Sequence, residues 1–126
     1  MNGRHGTPDP GRVARYERGR WSELAAAALL MAKGYRVLAR RHRTPYGEID
    51  LIAVRGRRLV FVEVKQRASQ EAAEASISSS QARRIATAAQ FWVSRHPRYR
   101  DHAVGLDIIF MMPRRWPQHI RDGLQP

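Results

Sequence analysis

The chain has 126 residues, enough for a single domain with one core and little more. It contains no cysteine, which excludes disulfides and a thiolate metal site. A composition of 43% apolar and 27% charged residues excludes a disordered chain, and a net charge of +12 points to a polyanionic partner, nucleic acid before an acidic membrane surface.

The first ten residues lack an apolar stretch and end in Pro8 and Pro10, so residues 1–12 are expected to form a flexible basic tail and not a signal peptide. Residues 13–126 are expected to form one domain. A helix is predicted from Val13 to Lys33, with Trp21, Leu24, Ala25, Ala28, Leu29 and Ala32 at helical spacing on its apolar face. Its longest apolar run, residues 24–32, is far shorter than the ~18 residues of a membrane span, so no membrane insertion is expected and the cytoplasm is the expected compartment. Gly34 stops the helix.

A strand from Tyr35 to Arg43 follows, ended by Pro45 and Gly47. Residues 48–54 and 59–65 are β-rich and flank Arg55-Gly56-Arg57-Arg58, which marks a hairpin. Residues 66–80, rich in Ser, Ala and Glu, are expected to be a mobile loop. The second helix, Gln81 to Arg95, turns Ile85, Ala88, Ala89, Trp92 and Val93 to one side and is closed by Pro97. Leu106 to Met111 is the last full strand, and the segment after Trp116 adds a short edge strand. The order αβββαβ predicts an α/β fold, a sheet with helices packed on it.

The hairpin's register follows from burial. A two- or four-residue loop centred between Gly56 and Arg57 pairs residues whose numbers sum to 113. Ile49, Leu51 and Ala53 then oppose Val64, Val62 and Val60 on one apolar side. On the other side Asp50 opposes Glu63 and Glu48 opposes Lys65. A slip by one would drive Glu63 and Lys65 onto the apolar side. Two facing carboxylates destabilise a strand pair and raise each other's proton affinity, a conflict that a divalent cation removes. Asp50 and Glu63 are hard oxygen ligands suited to Mg²⁺ or Mn²⁺, and the Val64 carbonyl is a third oxygen. Lys65, on the same side, is placed to hold an attacking water and offset phosphate charge.

Lysine is itself informative here, because Lys33 and Lys65 are the only lysines among 23 basic residues. A compact, rotatable donor at position 65 suits a catalytic site better than a guanidinium. The clusters Arg36, Arg40, Arg41, Arg43 and Arg83, Arg84 are candidate phosphate contacts, the alternative being ordinary surface charge. His5, His42, His96, His102 and His119 show no paired ligand spacing and are expected on the surface or in loops. Trp21 and Trp92 are expected in the core, and Asp107 is expected to cap or to pair with an arginine.

The strings GEIDLI and LVFVEVKQR, separated by a short turn, resemble the core of the YraN family of bacterial proteins, which is related to PD-(D/E)xK, restriction-endonuclease-like and Holliday-junction-resolvase-like folds. The resemblance runs from about Arg18 to Asp122. It implies a mixed β-sheet flanked by α-helices, with Asp50, Glu63 and Lys65 at the metal and lysine positions. It also implies that Glu23 is the acidic residue that related resolvases place beside the metal. Two positions depart from the expected pattern. Gln81 stands where the second helix commonly opens with lysine, and Gly105 where an arginine usually precedes the last-strand aspartate. Gln81 can still hydrogen-bond a phosphate or a water. The resulting expectation is a divalent-metal-dependent DNA nuclease. The alternatives are a non-catalytic nucleic-acid-binding module of the same fold and a basic protein that binds an acidic partner. Related resolvases act as dimers, which makes a homodimer an implied state, though no interface is legible in the sequence.

Overall fold

The computed structural model describes residues 10–69, 71–72 and 78–124, with backbone alone over residues 10–20. The tail expected at the N-terminus therefore lies, through residue 9, outside the described residues, as do His5 and residues 70 and 73–77 of the loop expected between residues 66 and 80. The elements are helix α1 (Pro10–Ala32), strands β1 (Arg36–Thr44), β2 (Gly47–Arg55) and β3 (Arg58–Gln66), helix α2 (Ser79–Ser94), a 3-10 turn (Pro97–Tyr99), and strands β4 (Ala103–Met111) and β5 (Gln118–Ile120). Helix α1 begins three residues earlier than predicted. It opens on Pro10, whose missing N–H costs nothing at a helix start.

The strands form one mixed sheet in the order β1-β2-β3-β4-β5, with β3 and β4 parallel and every other neighbour antiparallel. This is the expected αβββαβ order, with β5 added as the short edge strand. The β2–β3 hairpin closes on a two-residue loop in which Gly56 is left-handed (φ 58), as a tight hairpin turn requires. Its rungs run from Arg55↔Arg58 to Leu51↔Val62, so the predicted register holds over those pairs.

One helix covers each face of the sheet. Helix α2 packs Ile85, Ala88, Ala89 and Trp92 against Ile52, Val54, Phe61 and Ile108, and Ser78 caps its first turn by accepting from the Gln81 N–H. On the opposite face α1 packs Ala26, Ala27 and Leu30 against Leu51, Ala53, Val60 and Val62. The face predicted for α1 is corrected here: Ala25, Ala28 and Ala32 are exposed, and Trp21 is 70% exposed. The helix is apolar nearly all round from Leu24 to Ala32, so its periodicity offers little contrast to select a face. The small residues Ala26 and Ala27 take the position closest to the sheet. No helix among the described residues is long and apolar enough to cross a membrane.

A second correction concerns the hairpin's apolar side. Ile49 belongs to the α2-side core with Ile52 and Val54, whereas Leu51 and Ala53 belong to the α1 side. The alternation of β2 thus changes phase at Asp50. The residue between the flanking β1 rungs at this point, Arg41, has a left-handed backbone (φ 51).

Candidate metal and phosphate site

The phase change releases Asp50 from the ladder. Beyond Leu51↔Val62 its carboxylate accepts the Val64 N–H at 2.7 Å, a side-chain bond in place of a backbone rung. Asp50 lines a polar pocket of about 400 Å³ together with Ser22 and Glu23 of α1, Glu48 of β2, and Val64 and Lys65 of β3. Burial pushes its carboxyl up to about 6. The Val64 N–H favours the anion, while Glu63, Glu23 and Glu48 each add repulsion. Four carboxylates thus act on one small volume.

Glu23 is only 5% exposed, so it faces the site and not solvent. Arg41 donates to it at 2.6 Å, and Arg40 lies 3.9 Å from its other oxygen. Glu63 lies beside the pocket, and Arg84 of α2 reaches it at 3.4 Å. The same guanidinium donates to the Glu48 carbonyl and occupies the space beside Gly47, whose φ of 126 favours glycine. Lys65 is 7% exposed, lines the pocket, and makes no hydrogen bond or ion pair with any described residue.

The other predicted positions separate. Arg43 is exposed and 3.9 Å from Glu48, and Arg83 is exposed at the start of α2. Gln81 is partly buried, and its Oε1 has no hydrogen-bond partner. Arg40, Arg41 and Arg84 are engaged with acidic residues of the site. Among the described residues no three carboxylate or imidazole groups are already drawn together as a complete ligand shell. The chemistry of the donors suits a hard cation, because the half-buried Asp50 carboxyl is under repulsion from Glu63, Glu23 and Glu48, all oxygen donors. A larger apolar groove of about 610 Å³ between α2 and β4 is lined by no ionisable side chain and lies away from these groups.

Sequence reasoning anticipated an arginine partner for Asp107 but not the second polar cluster built around it, at the β4–β5 edge of the sheet. Asp107 of β4 is fully buried. It accepts two bonds from Arg58 (2.8 and 3.0 Å), one from the His119 Nε2–H (2.8 Å) and one from the Asp122 N–H (2.9 Å). Burial alone would raise its carboxyl, but these donors outweigh it and hold the group well below the usual carboxylate range. The expected arginine partner of Asp107 is therefore Arg58. The expectation of a surface or loop position for His119 is corrected, since its side chain is 3% exposed. Its other ring nitrogen meets the Lys33 ammonium at 2.6 Å. A lone carboxylate within the apolar string LDIIF was the available signal, because a buried charge requires partners. The departure at Gly105 also has a spatial reason. A Cβ there would overlap the Arg58 guanidinium, lying 2.7 Å from its Cζ.

The family model described as Uncharacterised protein family UPF0102 matches residues 22–111, a span that holds Glu23, Asp50, Glu63 and Lys65. A UPF0102 protein of Mesorhizobium japonicum is 49% identical over 116 residues, covering 92% of this chain and 93% of the relative. One from Rhodopseudomonas palustris is 45% identical over 113 residues, covering 90% and 86%. One from Parvibaculum lavamentivorans is 44% identical over 123 residues, covering 98% and 92%.

Proposed function

The chain belongs to the UPF0102 family, and we propose that it is a divalent-metal-dependent nuclease that hydrolyses phosphodiester bonds in DNA at the Asp50–Lys65 pocket. The observation that carries this reading is a buried lysine whose side chain has no partner among the described residues, lining one pocket with a half-buried carboxyl under repulsion. Structural ion pairs satisfy each other, as Arg58 and Asp107 do. Asp50 instead has the Val64 N–H and no ion-paired cation among the described residues, and Lys65 faces the same pocket unpaired among them. Asp50, Glu63 and the Val64 carbonyl would hold Mg²⁺ or Mn²⁺. Such an ion lowers the pKa of a bound water and offsets charge on the scissile phosphate.

The protein's own groups complete the reading. The Lys65 ammonium donates to the attacking water and to a phosphate oxygen. Glu23 orients Arg41 at the pocket's edge. Arg40, Arg43 and Arg83 take neighbouring phosphates. Arg84, at a long 3.4 Å from Glu63, is freed for phosphate when Glu63 turns to a cation.

A second reading has its own support. Arg41 on Glu23 and Arg84 on Glu63 already neutralise two of the carboxylates without any metal, which suits a non-catalytic nucleic-acid-binding module.

One experiment separates them. The full chain is incubated with Mg²⁺ or Mn²⁺ and single-stranded, duplex or branched DNA, and its thermal midpoint is followed with and without metal. The nuclease reading expects cleavage by wild type and its loss in both Asp50→Asn and Lys65→Ala. Metal-dependent stabilisation is expected to disappear only in Asp50→Asn, because lysine is not a ligand. DNA binding with neither metal uptake nor cleavage would establish the binding module instead.

A further inference from the structure

We propose that the loop between β4 and β5, residues 113–117, is a stacking subsite for single-stranded nucleic acid, in which Trp116 takes a base and Arg114 and Arg115 take its phosphates. The inference rests on the nuclease reading of the neighbouring pocket and supplies its substrate class.

Trp116 is 91% exposed, more than any other large apolar side chain among the described residues. An indole in water forgoes the burial that makes tryptophan valuable in a core, and this one has no such role in the fold. The two residues before it, Arg114 and Arg115, are exposed arginines. An aromatic face flanked by cations is the pairing that binds single strands without base-specific hydrogen bonds. Arg114 is also held left-handed (φ 61), a conformation that costs a non-glycine residue about 1 kcal/mol. Glycine would adopt it freely, so the arginine is present at a local cost.

Topology brings this loop to the candidate site. Strands β3 and β4 are parallel, so their C-terminal ends lie together. Lys65 pairs with Phe110 and Phe110 with Gln118, one rung across three strands. Two strand spacings of ~4.8 Å place the Gln118 backbone on the order of 10 Å from that of Lys65. The loop projects from the same end, just beyond this rung. A groove joins the two places. Ser22, Gln66 and Arg67 line both the polar pocket and an adjoining groove of about 430 Å³, which continues over Met111, Met112 and Pro113 to the start of the loop. A strand leaving the pocket along this floor reaches Pro113, three residues before Trp116. A base can stack on the indole only when it is unpaired, so the loop favours single strands, flaps and frayed ends over intact duplex.

The test measures binding of a fluorescently labelled single-stranded oligonucleotide, and of the duplex with the same sequence, by anisotropy in EDTA. Cleavage plays no part in this readout, so a chain that never cuts still tests the loop. Conversely, a chain that cuts but ignores the Trp116 substitution overturns only the loop. Trp116→Ala is expected to lower single-strand affinity on the order of tenfold and duplex affinity no more than about twofold, while Trp116→Phe keeps most of the single-strand affinity. The exposed position predicts an unchanged thermal midpoint in both variants. No single-strand binding by wild type, no loss in Trp116→Ala, or equal losses on both substrates would overturn the proposal. So would a change in self-association with DNA binding intact, which would assign Trp116 to a contact between protein molecules.

Discussion

Asp50 is the carboxyl whose ionisation the fold opposes, and the effect carries a sign. Its carboxyl, usually near 3.8, is pushed up to about 6 by burial and then by the neighbouring carboxylates, against the Val64 N–H. A folded-state carboxyl with a raised pKa binds its proton more tightly than the unfolded chain does. Ionising it therefore costs stability, progressively as pH rises from about 4 to above 6, and the deficit is complete at neutral pH. The displacement corresponds to at most roughly 3 kcal/mol, and to less once partial solvent screening is counted. Asp50→Asn keeps an acceptor for Val64 and removes the charge. In EDTA near neutral pH the variant should melt at a higher temperature than wild type, and this advantage should fade below about pH 4. An advantage that persists undiminished in acid would trace the effect to packing instead.

At the scale of elements, the sheet's second edge is held by a charged clamp. Asp107 ties β4 to the start of β3 through Arg58, to β5 through His119, and to the turn after β5 through the Asp122 N–H. The Tyr35 hydroxyl accepts from Arg58, which brings the segment after α1 into the same network. Leu124, fully buried, adds its N–H to the Leu106 carbonyl and completes the closure. Removing one partner of a buried pair leaves the other charge uncompensated, so Asp107→Asn should cost about 3–5 kcal/mol in denaturant unfolding. Gly105→Ala should cost about 1–3 kcal/mol by displacing the same guanidinium. A loss below about 1 kcal/mol in Asp107→Asn would mean that the clamp is dispensable.

For the whole molecule, the net charge of +12 is unevenly committed. Arg40, Arg41, Arg43, Arg58 and Arg84 are placed on acidic partners, while Arg83, Arg114 and Arg115 face solvent. Solvent-facing guanidinium groups near the candidate pocket favour binding to the phosphate backbone through counterion release and carry no base-reading geometry. DNA affinity should therefore fall on the order of a thousandfold between about 50 and 200 mM salt if six phosphates are contacted, with little dependence on sequence. A flat salt response, or strong preference for one duplex sequence, would contradict an electrostatic mode.

Much of this was legible in the chain itself. The contrast between apolar and polar positions determined the hairpin register from Leu51–Val54 against Leu59–Val62, whereas the predicted pairs of Asp50 with Glu63 and Glu48 with Lys65 are not among the rungs, and Lys65 is buried. The spacing of Ile85, Ala88, Ala89 and Trp92 determined the buried face of α2 in the same way. Contrast is also where sequence reading ended. Helix α1 is apolar nearly all round from Leu24 to Ala32, so only packing decided that Ala26 and Ala27 meet the sheet, that Glu23 is buried and that Trp21 stays in water. The phase change at Asp50 coincides with the left-handed backbone of Arg41 on the adjacent strand. The Arg58–Asp107–His119 clamp required three strands to converge. Periodicity reports only the contrast within one element, whereas these features depend on partners 12 to 49 residues apart, and those partners met only when the sheet assembled.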